Sequence, residues 1–405
     1  MSVGPWLSLN TVEGAEVPLY ILQCDASGAL TSPLTMQHLQ AALASGAFTH
    51  VLFMSHGWNN TFEDAVALYE GLFIGMEGHR NTNGLPWPGY RPVVVGLHWP
   101  SIALVFGGEA GPLIAGPAVA PDVSDLAERA SDPARAAELL TGGPLDPAAV
   151  SELAGLLSSL TGGDAAELEA LWRKSYPEEP EHGASNWGTV DEPLAAGFLG
   201  NLDPRWIYRL ATVWQMKDRA REVGFGGAAE ILRGLGTATP IHLFGHSYGC
   251  QVMLGALCAD PAVSVASMLL LQPAVNVYAC AKDVPGPQGA GGYRVALDRS
   301  DGPIVYTRTK QDGPLYQVFH LAVRRSKDLG EPLPAGAAPK FGAIGGYGMQ
   351  GMAAGEVVRV KLTAGMTLPT GSHEVLELNG DAVIEGHGDI QRAEVYNVAV
   401  QQVAP

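Results

Sequence analysis

A serine set between glycines is the residue of this sequence whose type and spacing best suit chemistry. Gly245, Ser247 and Gly249 fit the pattern Gly-x-Ser-x-Gly, which raises a serine hydroxyl on a sharp turn between a strand and a helix. The apolar run 241–244 ends directly on the motif, and the helix-compatible stretch 248–259 follows it. Such a hydroxyl lies beside a helix N-terminus and can attack an acyl carbonyl. A purely structural Gly-Ser turn is the alternative.

A second segment with a possible chemical role lies upstream, where the apolar strand 51–54 runs into His56-Gly57-Trp58. Acyl transfer passes through a tetrahedral oxyanion, which backbone N–H groups stabilise when they point at it. The predicted donors are the amide of Trp58 and that of Tyr248, the residue after the serine. Gly57 would permit the backbone conformation that this requires. We interpret His56 as a residue that braces the loop rather than as a proton carrier.

Three short segments together resemble the α/β-hydrolase superfamily. More narrowly, they are similar to bacterial serine hydrolases of unknown function that carry a His-Gly-Phe-Asn-Asn-like segment. The segments are His56-Gly57-Trp58-Asn59-Asn60, His98-Trp99-Pro100-Ser101 and His246-Ser247-Tyr248-Gly249. The resemblance covers 50–101 and 206–320 well, the C-terminal end loosely and 102–200 not at all. It implies an α/β-hydrolase fold and a Ser-His-acid hydrolase, and it leaves the substrate open.

In the α/β-hydrolase fold the acid and the histidine follow the serine along the chain. The strand that ends at Leu271 leads to Asn276, where the family pattern tends toward Asp and where an amide cannot serve as the anion. The strand 304–308 leads to Asp312, which we predict to be the acid that orients the histidine. A turn residue that caps the next helix is the alternative for this position. Weaker rivals for the acid are Asp283, Asp298 and Asp301.

Three histidines follow Asp312 and are candidates for the general base. His320 lies inside a predicted helix and is assigned to packing or to the surface. His373 and His387 both lie in glycine-containing turns, but His387 directly precedes the last predicted helix, where the superfamily places its base. We therefore predict His387 as the base and keep His373 as the alternative.

These residues need a sheet to carry them. Outside residues 101–200, short apolar runs alternate with helical patterns, and runs that are apolar throughout fit strands buried on both faces of a parallel sheet. The predicted strands are 18–23, 51–54, 92–97, 241–244, 266–271, 304–308 and 357–362, and the predicted helices are 62–75, 206–223, 248–259, 315–326 and 389–402. The sequence therefore predicts an α/β class fold, the α/β-hydrolase fold, with a mostly parallel sheet flanked by helices.

Residues 101–200 differ from the rest in composition, because they hold 16 acidic and only 4 basic residues. Helical patterns at 123–130, 147–160 and 165–174 are separated by Gly and Pro. We predict an inserted, acidic, helical cap at 101–200 between two parts of one core, 1–100 and 201–405. Loops that leave the carboxyl ends of a parallel sheet build its ligand site. The predicted substrate pocket therefore takes Phe106 and Phe198 from the cap and His56 and Gly57 from the core.

Composition argues against several other classes of protein. A net charge of −17 without a basic run disfavours a nucleic-acid groove or an anionic membrane surface as partner. No apolar run approaches the ~18 residues of a membrane span, and the first residues lack the pattern of a signal peptide, so we expect a cytoplasmic protein. The four cysteines form no C-x-x-C pair. Among His56, His98, His242 and His246 only the last two are spaced four apart, but on a strand and a turn rather than on one helix face. No acid accompanies them, so we expect no metal and no cofactor.

The chemistry-bearing residues together predict a serine hydrolase that cleaves small carboxylic esters through an acyl-enzyme on Ser247. Amidase, thioesterase and acyltransferase reactions use the same groups and remain alternatives. A non-catalytic protein of the same fold that binds a ligand or partner is a further alternative.

Substitutions at the acid and base candidates test these assignments. We expect His387→Ala and Asp312→Asn each to lower kcat for ester hydrolysis by at least about 10³-fold, with Asp312→Asn the milder because that residue only orients the base. The controls His373→Ala and Asp283→Asn should stay within a few-fold of the unmodified protein. Steady-state kinetics on p-nitrophenyl esters measures all four. The reversed pattern would move the assignment to the control residues and leave the Ser247 prediction intact.

Overall fold

A nine-stranded sheet runs through the described part of the protein. The computed structural model describes residues 3–101, 130–141, 147–161, 215–236, 238–285, 289–319, 341–369 and 375–404. The strands are β1 (Leu7–Asn10), β2 (Glu16–Gln23), β3 (His50–Ser55), β4 (Pro92–His98), β5 (Ile241–His246), β6 (Ser267–Leu271), β7 (Ile304–Arg308), β8 (Val357–Lys361) and β9 (Val375–Asn379). Their order across the sheet is β1-β2-β4-β3-β5-β6-β7-β9-β8. Only β1 is antiparallel to its neighbour among these strands.

Helices cover both faces of the sheet. They are α1 (Pro33–Ala44), α2 (Phe62–Thr82), α3 (Pro133–Thr141), α4 (Pro147–Thr161), α5 (Ala229–Leu235), α6 (Tyr248–Ala259), the single turn α7 (Ile344–Tyr347) and α8 (Ala393–Val403). Short π-helical turns lie at Gly224–Ala228 and Pro314–Val318, and a 3-10 helix lies at Arg294–Arg299. One apolar cluster packs α1, α5 and α6 against the sheet, and a second packs α2 and α8 against the other face. This arrangement confirms the predicted α/β class with a mostly parallel sheet flanked by helices.

The seven predicted strands are all present. Apolar runs without alternation fit strands that are covered on both faces, although β8, at the edge of the sheet, is only partly buried. Strand β3, for example, is buried at every position. Strands β1 and β9 and helix α1 were not predicted. Strand β9 carries Glu377 at its centre, and an acidic residue disfavours a buried strand. In the structure Glu377 is buried and accepts hydrogen bonds from Arg308 Nε at 2.8 Å and from Tyr306 Oη at 2.7 Å.

Two predicted helix boundaries were wrong for physical reasons. Helix α2 begins as predicted, with a capping box between Thr61 and Asp64, but it continues past Gly75 to Thr82. Gly75 does not end the helix. It is a glycine inside α2 because α8 packs closely there: a Cβ would lie 2.1 Å from the ring of Tyr396 on α8. The last helix begins at Ala393 rather than at 389, since residues 389–392 belong to the preceding loop.

The predicted cap is described in part. The predicted helix 147–160 corresponds to α4, and α3 precedes it. The two helices are joined by Arg135, whose Nε lies 2.7 Å from Glu152 Oε1. Buried residues of both helices, such as Leu139 and Leu153, belong to the apolar cluster that includes α6. Half of the predicted helix 206–223 is described, and residues 215–223 are helical, whereas residues 206–214 lie outside the described residues. The predicted helix 165–174, residues 123–129 and residues 320–326 also lie outside them, and the domain boundaries stay a prediction. No helix among the described residues has the length and apolarity to cross a membrane.

Two buried histidines, His56 and His242, and the partly buried His246 make the stability of the fold depend on pH. Burial lowers the pKa of His56 and of His242 from 6.5 to about 3, and that of His246 to about 4. The unfolded chain therefore binds more protons than the folded chain below pH 6.5. The histidines thus favour the folded state least at low pH, and the free energy of unfolding falls as the pH falls from about 6.5 towards 4.

We expect His242→Gln to reduce this pH dependence, because one of the three groups no longer titrates. The slope of the free energy of unfolding against pH should fall by up to about 1.4 kcal/mol per pH unit below roughly pH 6. Urea unfolding at pH 7.5, 6.5 and 5.5 measures it. Ser267→Ala is the control, because it removes the hydroxyl 2.8 Å from His242 Nδ1 and leaves the imidazole. An unchanged slope in His242→Gln would contradict the assignment.

Candidate active site

Ser247 occupies the turn between β5 and α6 in a strained conformation. Its φ is 56° and its ψ is −123°, a region that costs a residue with a side chain on the order of 1–3 kcal/mol. The turn is held by the Ser247 amide, which donates to Leu271 O at 3.0 Å, and by the Ser247 carbonyl, which accepts from Cys250 N at 3.1 Å. Local strain kept in place by neighbouring contacts is typical of residues that act on a substrate.

The two glycines of the motif are required by close packing. A Cβ at Gly249 would lie 2.2 Å from the carbonyl oxygen of Ser55, so the first turn of α6 rests directly on the end of β3. A Cβ at Gly245 would lie 2.7 Å from Cys250 Cα, which brings β5 equally close to α6. The serine is therefore presented at a point where three elements meet.

The structure brings Ser247, His387 and Asp312 together in one hydrogen-bonded chain. His387 Nε2 lies 2.8 Å from Ser247 Oγ, and His387 Nδ1 lies 2.8 Å from Asp312 Oδ2. With Nδ1 protonated towards the carboxylate, Nε2 has a free lone pair that can accept the serine hydroxyl. Asp312 is fully buried, whereas the His387 side chain keeps 10% exposure.

Asp312 also accepts two hydrogen bonds besides the one from His387. The amide of Leu315 donates to Oδ1 at 2.9 Å, and Gln272 Nε2 donates to Oδ2 at 2.8 Å. The first of these contacts shows that Asp312 caps the following turn, while its role as the acid stays a prediction. A buried carboxylate without such donors would be costly.

The loop that carries His387 is held from two sides. Within it, Asp389 Oδ2 accepts from the amide of Glu385 at 2.9 Å, and Arg392 pairs with both carboxylate oxygens at 2.6 Å. The Arg392 guanidinium holds the pKa of Asp389 below its usual value. From the other side, His246 Nε2 donates to the carbonyl oxygen of His387 at 3.0 Å. Because burial lowers the pKa of His246 to about 4, its ring stays neutral at pH 7.

The segment after β3 lies directly beside the serine. A Cβ at Gly57 would be 2.6 Å from Ser247 Cβ and 3.2 Å from Ser247 Oγ. The next amide, that of Trp58, donates no hydrogen bond within the part of the chain that the structure describes. This N–H therefore stays available in the segment that contacts Ser247.

His56 braces this segment from below. The ring is completely buried, Nδ1 donates to Gly57 O at 2.8 Å, and Nε2 accepts from the amide of Trp99 at 3.2 Å. The end of β4 supplies further support, because the amide of Asn59 donates to Ser101 O at 2.8 Å. Both ring nitrogens of His56 are thus occupied by the backbone, which leaves this residue no proton to exchange.

The rival candidates lie elsewhere. Asp283, Asp298 and Asp301 are all exposed, and Asn276 Oδ1 accepts from the amide of Tyr278 at 2.8 Å in a local turn. His320, His373, Phe106 and Phe198 lie outside the described residues. Sequence reasoning missed the contacts of Gln272 and His246. Their positions, directly after β6 and directly before Ser247, are the only signal that the sequence carries for them.

No protein-family model and no curated protein sequence matches the chain. Among solved structures, it is similar to LpqC, a poly(3-hydroxybutyrate) depolymerase from Bordetella parapertussis. The identity is 10% and the TM-score is 0.27, over 86% of this chain and 76% of that chain. We therefore base the function on the geometry of the chain's own residues.

Substitution of Gly57 tests whether this segment must touch the serine. We expect Gly57→Ala to lower kcat by about 10²-fold, because a Cβ 2.6 Å from Ser247 Cβ forces the serine and the Trp58 amide apart. The measurement is ester hydrolysis by a variant whose circular dichroism matches that of the unmodified protein. Gly78→Ala on α2 is the control, since a Cβ there meets nothing within 4 Å. Equal activity of the two variants would contradict the close approach.

Proposed function

We propose that the protein is a serine hydrolase that cleaves carboxylic esters through an acyl-enzyme on Ser247. The observation that carries this proposal is the chain of two 2.8 Å contacts from Ser247 Oγ through the His387 ring to the Asp312 carboxylate. The strand–turn–helix context of Ser247 and the resemblance of its neighbouring segments to α/β-hydrolases support it.

In the first half of the reaction, Ser247 Oγ attacks the ester carbonyl carbon while His387 Nε2 takes the hydroxyl proton. Positive charge then develops on the imidazole, and the adjacent Asp312 carboxylate stabilises it. The amides of Trp58 and Tyr248 donate to the oxygen that becomes negative. When the carbon–oxygen bond to the alcohol breaks, His387 returns the proton to the departing alkoxide, and the acyl group stays on the serine.

In the second half, water replaces the alcohol. His387 Nε2 removes a proton from the water as its oxygen attacks the acyl-enzyme, and the same amides bind the second oxyanion. Collapse of this intermediate gives the proton back to Ser247 and releases a carboxylic acid. In both halves His387 first takes a proton and then returns it, so both halves depend on its position beside Ser247.

The proposed ester preference follows from the leaving group. Either leaving group takes one proton from the histidine, but an alkoxide leaves more readily than an amine, and the ester carbonyl is less stabilised by resonance than the amide carbonyl. Thioester cleavage and acyl transfer use the same residues, and assays with matched thioester, amide and alcohol acceptors distinguish them.

We further propose that residues 101–200 form the cap over this site, with Phe106 and Phe198 lining an acyl pocket. The chain leaves the carboxyl end of β4 at His98, which is the same edge of the sheet as Ser247. In open parallel sheets ligands bind at that edge. A cap with apolar residues there would receive the acyl group of the ester.

Loss of the serine is the direct test. We expect Ser247→Ala to lower kcat for p-nitrophenyl acetate by about 10⁴–10⁶-fold, as removal of a catalytic nucleophile does. A fluorophosphonate probe should label the unmodified protein once and should not label Ser247→Ala, as read by intact mass.

Ser267→Ala is the matched control, because Ser267 is also buried but lies at the start of β6. It should label and hydrolyse like the unmodified protein. Retention of more than about a tenth of the activity in Ser247→Ala would contradict the mechanism. An unmodified protein that neither labels nor hydrolyses any acyl substrate would favour a non-catalytic binding protein.

A further inference from the structure

Gln272 has two independent unfavourable features, its backbone conformation and an unsatisfied side-chain oxygen. It is the first residue after β6, its φ is 46°, and its side chain is completely buried. A positive φ is costly for a residue with a long side chain. In addition, its Oε1 accepts no hydrogen bond from any described residue, and an orphaned buried oxygen also destabilises the fold.

We propose that Gln272 is a positioning residue that holds the Asp312 carboxylate in the orientation that His387 requires. This inference rests on the proposed function. The contact that Gln272 gains is the one from its Nε2 to Asp312 Oδ2, at 2.8 Å. That same oxygen accepts from His387 Nδ1 at 2.8 Å, so Gln272 acts on the atom that orients the base.

The backbone of Gln272 is held independently of Asp312. Its amide donates to Thr307 Oγ1 on β7 at 2.8 Å. A Cβ at Gly345 would lie 2.8 Å from Gln272 C, and the Gly345 amide donates to Pro273 O at 3.0 Å. The side-chain amide therefore donates to the carboxylate from a backbone that other contacts hold in place, as a positioning residue requires.

The three donors around Asp312 divide its two oxygens. Leu315 N occupies Oδ1, and Gln272 with His387 occupies Oδ2. Rotation of the carboxylate about its Cβ–Cγ bond would break the contacts to Leu315 and Gln272 together. Without Gln272 the Leu315 amide is the one remaining contact besides His387 itself that opposes this rotation, and the carboxylate that orients His387 is held less firmly.

The test is Gln272→Met, which keeps the length of the side chain and removes the amide. We expect kcat for p-nitrophenyl acetate to fall about 10- to 100-fold, the effect of losing a hydrogen bond to a charged group, while KM stays within about twofold. The melting temperature should not fall, because the orphaned Oε1 is removed as well. A residue with a merely structural role would lose stability and leave kcat unchanged.

Gln402→Met is the matched control. Gln402 is also buried, its Oε1 is also orphaned, and its Nε2 donates to Pro303 O at 3.1 Å. It lies at the opposite end of β6, so its replacement should leave kcat unchanged. Equal effects of the two substitutions on kcat would overturn the proposal.

A double-mutant cycle separates action through Asp312 from any other effect. In an Asp312→Ala background, Gln272→Met should change kcat by less than about twofold. A full additive loss in that background would overturn the proposal. If Gln272→Met does not fold, Gln272→Asn serves instead, because asparagine tolerates a positive φ and is one carbon too short to reach Asp312. The same loss of kcat is expected from this variant. An unchanged kcat overturns the proposal.

The outcomes also distinguish this inference from the proposed function. An unmodified protein that hydrolyses esters and labels at Ser247, together with a fully active Gln272→Met, contradicts only the role of Gln272. An unmodified protein without hydrolysis or labelling contradicts both.

Discussion

Burial of a carboxylate is costly unless hydrogen-bond donors satisfy its oxygens, and this constraint organises the site around Asp312. The donors come from three separate parts of the chain: Gln272 follows β6, Leu315 follows β7, and His387 follows β9. Each must reach the same buried point, so the ends of these strands must lie side by side. The parallel sheet meets that requirement, because β6, β7 and β9 are neighbours in it.

The same sheet explains why the serine can be strained and yet well ordered. The turn that carries Ser247 (called the elbow below) follows β5, which lies next to β6. The Ser247 amide donates to the carbonyl oxygen of Leu271 at the end of β6. On the other side, the end of β3 contacts α6 at Gly249 and Ser247 at Gly57. A turn squeezed between two strand ends has no room to relax, and the strain is opposed by packing rather than by any single bond.

Much of this arrangement follows from local sequence patterns. Uniformly apolar runs predict the buried strands. The Gly-x-Ser-x-Gly pattern that follows one of them predicts Ser247, and the loop that follows another predicts Asp312. His387 was chosen by its place before the last helix. What sequence patterns do not reveal are contacts that depend on tertiary packing. Strand β9 was missed because Glu377 is neutralised by arginines from adjacent strands, and the left-handed conformation of Gln272 has no signature in residue type.

The residues of the site lie far apart along the chain, and this separation affects the order in which their contacts form during folding. Ser247 and His387 are 140 residues apart, and His387 and Asp312 are 75 apart. Contacts between such distant residues form late, because a long loop must close first. The elbow is local and can form once β5 and α6 have left the ribosome, whereas α8 must dock through Tyr396 against Gly75 to anchor the loop that bears the histidine. A newly made chain would therefore carry Ser247 without its contact to His387 until α8 docks.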